Sequence, residues 1–232
     1  MGNNNSRVIL ITGANGGLGG AVTRAFLETG ATVYGVSRSI SAAEFAHPAF
    51  RAISAEIKTS AQASELVGGV LRESGRVDAL IHLVGGFAGG KTVDDTEDDV
   101  LERMLDMNVR AAFSLFRAVL PPMRAQRSGA IVAIGSRTAI DPQPMLAAYS
   151  ASKAALVSLV RTIALETKND GISANVVLPG TMDTPANRAA NPSADPARWV
   201  QPSQIAAMLV HLASPAASQI SGAAIPVYGG DL

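Results

Sequence analysis

Cysteine is absent from the 232 residues, which excludes disulfides and thiolate chemistry and fits a reducing, cytoplasmic setting. Neither sign of charge is in excess: 19 Lys and Arg balance 19 Asp and Glu. A chain without a basic field has nothing to recruit nucleic acid or an anionic membrane. Apolar residues reach 47%, yet no run approaches the roughly 18 consecutive residues of a membrane span. The opening Met1-Gly2-Asn3-Asn4-Asn5-Ser6 is polar and has neither an apolar h-region nor an Arg-rich amphipathic pattern, so residues 1–6 read as a flexible start rather than a targeting signal. Only three histidines occur, His47, His82 and His211, and their spacing suits no metal.

What the chain does have is alternation. Short β-branched, consecutively apolar runs at 7–12, 32–36, 50–55, 79–84, 130–135, 172–178 and 223–227 read as strands covered on both faces. Helical segments fall between them near 18–29, 60–73, 97–125, 147–167 and 202–212, with Gly30 at a C-cap and Pro202 opening a helix. Repeated βαβ units with right-handed crossovers give an α/β fold, a doubly wound, mainly parallel sheet of about seven strands. No linker or repeat divides the chain, so one domain over 1–232 is the simplest organisation, and a chain of this size can bury roughly 70% of its unfolded surface without staples. The Pro-, Ala- and Asn-rich stretch 181–200 reads as a lid or substrate loop.

The first strand runs into Thr12-Gly13-Ala14-Asn15-Gly16-Gly17-Leu18-Gly19-Gly20. Glycines let backbone N–H groups close around a pyrophosphate, and the helix that follows adds its positive end. The spacing is T-G-x-x-x-G-x-G, on Thr12, Gly13, Gly17 and Gly19, and not G-x-G-x-x-G. A dinucleotide fold for NAD places an acid at the end of the second strand, to accept from the ribose 2′-OH. Here Ser37-Arg38 stands there, a hydroxyl and a multi-donor fork suited to a 2′-phosphate, which favours NADP(H) over NAD(H).

Tyr149-Ser150-Ala151-Ser152-Lys153 opens a long helical stretch, so Tyr149 and Lys153 share a face one turn apart. A cation at about 4 Å in an effective dielectric near 20 favours phenolate by roughly 4 kcal/mol, before desolvation is subtracted. That brings a tyrosine into the range of general acid–base catalysis.

Together, the glycine turn and the Tyr149/Lys153 pair resemble the classical short-chain dehydrogenase/reductase family over essentially the whole chain. The resemblance also picks out Asn108 in Met107-Asn108-Val109, Ser136 after the fifth strand, Pro179-Gly180 and a closing Tyr228-Gly229-Gly230. It implies a Rossmann-type sheet, NAD(P) binding, hydride transfer between nicotinamide and a carbonyl or secondary alcohol, and a homodimer or homotetramer. By resemblance, Ser136 polarises the substrate carbonyl, Tyr149 exchanges the proton, Lys153 binds the nicotinamide ribose and lowers the tyrosine pKa, and Asn108 holds a water of the proton relay. Thr181, Met182 and Thr184 would contact the carboxamide or cofactor phosphates. Glu56-Ile57, ending the third strand, would contact adenine.

The family's Asn-Asn-Ala-Gly is replaced here by His82-Leu83-Val84-Gly85, followed by Gly86-Phe87-Ala88-Gly89-Gly90. Val84, Gly85 and Gly86 preserve close backbone approach to the cofactor, and His82 reads as a packed strand-end residue. The Gly85–Gly90 run also resembles the same loop of dihydropteridine reductases. Three activities therefore stand: a carbonyl reductase or alcohol dehydrogenase such as a 3-oxoacyl-thioester reductase, a pterin or quinonoid reductase, and a non-catalytic NADP-binding sensor or scaffold. Phe87, Arg137, Met145, Leu146, Met182 and the stretch through Trp199 are the expected substrate walls, with Arg137 facing either an anionic substrate group or solvent.

Overall fold

The computed structural model describes residues 6–230; of the expected flexible start, residues 1–5 lie outside the described residues. Seven strands form one sheet in which every neighbouring pair is parallel: β1 (Val8–Thr12), β2 (Thr32–Ser37), β3 (Phe50–Ser54), β4 (Ala79–His82), β5 (Gly129–Ile134), β6 (Ile172–Pro179) and β7 (Ala224–Val227). Their order is β3-β2-β1-β4-β5-β6-β7. The chain winds outward from β1 to β3, then crosses back to lay β4 on the other side of β1. The loops leaving β1 and β4 therefore diverge, and a crevice opens beyond their C-terminal ends.

The strands are apolar on consecutive residues because helices cover both faces. One face buries Phe26 of α1 (Gly19–Glu28) and Leu209 of α7 (Pro202–Leu212) against Ile9, Ile11 and Ile81. The other buries Leu66 of α2 (Ser60–Ser74), Phe116 of α4 (Ala111–Gln126) and Leu156 of α5 (Ala147–Glu166) against Leu10, Leu80 and Ile131.

Three elements differ from the sequence expectation. β4 stops at His82, two residues early, because its partner β1 ends at Thr12, the residue paired with His82. β3 stops at Ser54, so Glu56 and Ile57 lie in the loop beyond it. The single helix expected over 97–125 is α3 (Asp98–Leu105), a π turn (Asp106–Arg110) and α4. The wider turn brings Asn108 inward, where it is buried; such π insertions recur at functional sites.

The stretch 181–200 is built rather than loose. Val200 N–H donates to Thr181 O at 2.8 Å and Asp183 N–H to Val200 O at 2.8 Å, closing its base. Within it lies α6 (Pro185–Ala190), capped by the Thr184 hydroxyl and followed by a 3-10 turn at Pro196–Arg198. Among the described residues, no helix is long and apolar enough to cross a membrane.

The glycine turn depends on two positions. Gly13 has φ +73°, in the left-handed region. At Gly19 a Cβ would lie 2.0 Å from Gly13 O, so the start of α1 packs directly on the turn. Gly19→Ala should therefore destabilise the fold by at least about 2 kcal/mol, since backbone must move to admit one methyl. Urea unfolding of the two proteins measures this; a loss under 0.5 kcal/mol (roughly the neutral surface range) would contradict the packing.

Candidate active site

A cleft of about 1130 Å³ opens at the crevice between β1 and β4. Thr12, Gly13, Asn15 and Gly16 form its glycine-turn wall, and Ser37, Arg38, Glu56 and Ile57 line it beyond β2 and β3. Val84 and Gly85 line it after β4, and it continues along Asp99, Arg103 and Met107 of α3 and the π turn. α1 begins here with Leu18 at its N-cap, no side-chain cap and no acidic residue in its first turn. An uncapped ten-residue helix facing a glycine turn leaves amide donors and positive potential for an anion. These residues fit the pyrophosphate of a dinucleotide. Gly17 faces Thr184 instead: a Cβ there would lie 3.0 Å from the Thr184 Cγ2 methyl, so the 181–200 segment rests on the turn.

Ser136, Tyr149, Lys153 and Asn108 gather around the end of β5 and the start of α5. Ser136 caps a short turn at Arg137–Ala139, and its Oγ accepts from Thr138 N at 3.3 Å. Burial raises the pKa of the Tyr149 phenol above its ordinary value, and the neighbouring Ser136 side chain offsets part of that rise. Lys153, one turn along α5, is buried; its ammonium donates to Ile134 O at 2.9 Å and lies 6.0 Å from the Tyr149 ring centroid. Burial lowers its pKa to about 8. Asn108 is held from two sides. Its Oδ1 accepts from Gly86 N at 2.9 Å, while Nδ2 donates to Gly86 O at 3.1 Å and to Ser152 Oγ at 2.9 Å.

The expected Coulombic lowering of Tyr149 by Lys153 is corrected by this geometry. The ammonium bonds the Ile134 carbonyl, and Ser136 supplies the downward pull on the phenol. Ser152 was not singled out from the sequence. Its hydroxyl accepts from Asn108 and donates to Tyr149 O at 2.7 Å, so it ties the π turn to the start of α5.

Gly85 is the point of closest approach. A Cβ there would lie 2.7 Å from Asn108 Oδ1 and 3.0 Å from Lys153 Nζ, which explains a glycine where β4 gives way to the loop. His82 is fully buried, with Nδ1 2.9 Å from Thr12 Oγ1 across the β1–β4 pair and the ring edge-on to Phe116. Its Nε2 has no hydrogen-bond partner among the described residues. Burial first, and then the Lys153 charge, push its pKa down to about 3, so the imidazole is neutral. Among the described residues no group of His, Asp or Glu could hold a metal.

Of the expected substrate walls, Phe87 meets Tyr149 edge-on at 5.0 Å between centroids and is 68% exposed. Met145, φ +65°, holds its carbonyl 2.9 Å from Gly90 N, and Leu146 lies against Gly89. The others are placed differently. Arg137 donates to Asp141 Oδ2 at 2.8 Å and stacks 5.1 Å over the Tyr228 ring, an engaged cation rather than one turned to solvent. Trp199 is buried, and Met182 packs on the core beside α7. Gly180 N–H donates to Val227 O at 2.9 Å, which anchors Pro179-Gly180-Thr181 to β7.

The family model for short chain dehydrogenases matches residues 7–195, and the chain belongs to that family. It is therefore a dehydrogenase/reductase enzyme. It is 32% identical over 240 residues to the 2,3-dihydro-2,3-dihydroxybenzoate dehydrogenase of Escherichia coli K12, covering 96% of this chain and 95% of that one. Among solved structures, ElxO with NADP bound superposes with a TM-score of 0.92 at 22% identity, over 97% of this chain and 98% of that one, a likeness of fold. The 3-ketoacyl-(acyl-carrier-protein) reductase from Brucella melitensis, complexed with NADH, has a TM-score of 0.86 at 28% identity, covering 98% of this chain and 99% of that one.

Two outcomes follow from the packing. Gly85→Ala should lower kcat at least about tenfold, because the methyl displaces Asn108 or the ammonium by fractions of an ångström; steady-state kinetics with unchanged kcat would refute the contact. For His82, a folded pKa near 3 against about 6.5 unfolded means the unfolded chain binds the extra proton below pH 6.5. Stability is thus full above that pH and falls between 6.5 and 3, by about 2 kcal/mol at pH 5. His82→Asn should remove this share of the acid loss in denaturant titrations at pH 7.5 and pH 5, and an unaltered pH dependence would count against a neutral, buried imidazole.

Proposed function

We propose that the enzyme interconverts a carbonyl and a secondary alcohol with NADP(H), Tyr149 acting as general acid and base. The observation that carries this reading is the buried Lys153 ammonium, 6.0 Å from the Tyr149 ring centroid, with Ser136 close enough to bear on the phenol. When bound, the nicotinamide supplies or accepts the hydride. The chain's own residues handle the oxygen. Ser136 and Tyr149 offer two hydroxyls to one carbonyl oxygen, already placed where negative charge develops on reduction. Because burial holds the phenol above its ordinary pKa, Tyr149 stands protonated at neutral pH, the form that donates as the carbonyl becomes an alcohol; in oxidation it takes the proton back. Lys153 would turn its ammonium toward the nicotinamide ribose, and Asn108, fixed by Gly86 and Ser152, would hold a water of the relay.

Arg38 in the cleft and the absence of an acid at the end of β2 support NADP(H). A neutral, apolar carbonyl compound suits the wall made by Phe87 and Met145, while Arg137 is engaged by Asp141 and Tyr228. The 3-ketoacyl reductase and the dihydrodiol dehydrogenase among similar proteins fit chemistry at C=O and CH–OH groups. A homo-oligomer of two or four chains belongs to the same reading, with exposed Phe113 and Leu165 on α4 and α5 as apolar contact surface.

Tyr149→Phe should reduce turnover by about two or more orders of magnitude, the scale of a positioned acid–base group. NADPH affinity, read by fluorescence titration, should stay within a factor of about three, since only one hydroxyl is removed. Near-normal turnover on a panel of ketones that the wild type reduces would remove the assigned role.

A further inference from the structure

Beyond the ends of β2 and β3, three ionised side chains meet on the cleft wall. Arg38 Nη1 lies 3.9 Å from Glu56 Oε1, and Lys58 Nζ lies 2.8 Å from Glu56 Oε2. All three line the cleft together with Ser37 and Ser39. Resting on the NADP(H) reading, we propose that Arg38 and Lys58 form a two-cation seat for the adenine-ribose 2′-phosphate, and that Glu56, as their shared counter-ion, sets how strongly the enzyme discriminates NADP(H) from NAD(H).

The charges decide the direction. A phosphomonoester carries about −1.5 to −2 near pH 7 and only accepts hydrogen bonds at its ionised oxygens. Two cations attract it, but the carboxylate between them occupies the same donors and repels the incoming anion. Glu56 is held below the ordinary carboxylate range, chiefly by the hydrogen bond from Lys58, so it keeps its charge at neutral pH. A phosphate must take both cations from this carboxylate. A ribose with a free 2′-hydroxyl meets no such opposition, and a carboxylate can accept from that hydroxyl. The three side chains are well exposed, at 79%, 46% and 69% for Arg38, Glu56 and Lys58. Pairs of this kind add little to folding stability, so replacing Glu56 changes the charge of the seat without disturbing its frame.

The test is calorimetric titration of the full chain with adenosine 2′,5′-bisphosphate and with 5′-AMP, which differ only in the 2′-phosphate. Glu56→Gln should bind the bisphosphate about tenfold more tightly, the scale of one charge-assisted contact, with 5′-AMP unchanged or weaker. Lys58→Ala should weaken the bisphosphate about tenfold on the same scale and leave 5′-AMP unchanged. Should the wild type bind the two ligands equally, the NADP(H) preference fails; a gain in Glu56→Gln confined to the bisphosphate would still sustain the counter-ion role. No gain in Glu56→Gln, an equal gain for both ligands, or no loss in Lys58→Ala overturns the proposal.

Discussion

A buried cation is the constraint around which the candidate site is arranged. Moving an ammonium out of water is costly unless acceptors and shape compensate, and Lys153 is buried with its charge directed at the Ile134 carbonyl. Its surroundings follow from that. Residue 85 is glycine because the loop passes where a Cβ would press on the ammonium and on Asn108. The histidine at the end of β4 is neutral, as burial and the lysine charge both oppose a second cation there. A pKa near 8 leaves Lys153 mostly protonated at neutral pH, and its desolvation makes any further acceptor offered to it worth more than in water.

Three segments distant in sequence hold this arrangement together, and hydrogen bonds couple them. The loop after β4 presents the backbone of Gly86 to both ends of the Asn108 amide. The π turn brings Asn108 inward, and the same amide reaches Ser152 on α5. Ser152 in turn bonds the Tyr149 carbonyl. A shift in any one of the three segments is therefore felt by the other two, as preorganisation of the proposed proton-transfer site demands.

The sheet was legible in the sequence because strands buried on both faces announce themselves as consecutive apolar runs, such as Val8-Ile9-Leu10-Ile11. The glycine turn, Ser136, Asn108, Tyr149 and Lys153 could be named in advance, and the structure brings the last four together. Where β3 and β4 end was not legible, since a ladder stops where its partner turns away, as β4 stops opposite Thr12. The π turn gave no signal either: Asp106-Met107-Asn108-Val109-Arg110 contains no glycine or proline. Lys58 reads in sequence as an ordinary surface lysine, and only its 2.8 Å approach to Glu56 places it in the cleft. The expected lysine–phenol attraction erred because sequence spacing fixes a shared helical face, not which acceptor an ammonium selects; the Ile134 carbonyl, contributed by another strand, decided that.

Two electrostatic regimes therefore adjoin the crevice, one lining it and one packed behind Gly85. Around Arg38, Glu56 and Lys58 the charges are exposed and screened over roughly 8–10 Å at ordinary ionic strength. Around Lys153 and His82 they are desolvated, and a charge there acts at close range with little screening. The separation has a mechanistic consequence. On the proposed reading, substitutions on the exposed wall would change which adenosine phosphate is favoured without altering the proton affinity of Tyr149, whose pKa answers to its own burial and to Ser136. Cofactor choice and acid–base chemistry would then vary independently on that reading, one set by ions that water reaches and the other by groups that it does not.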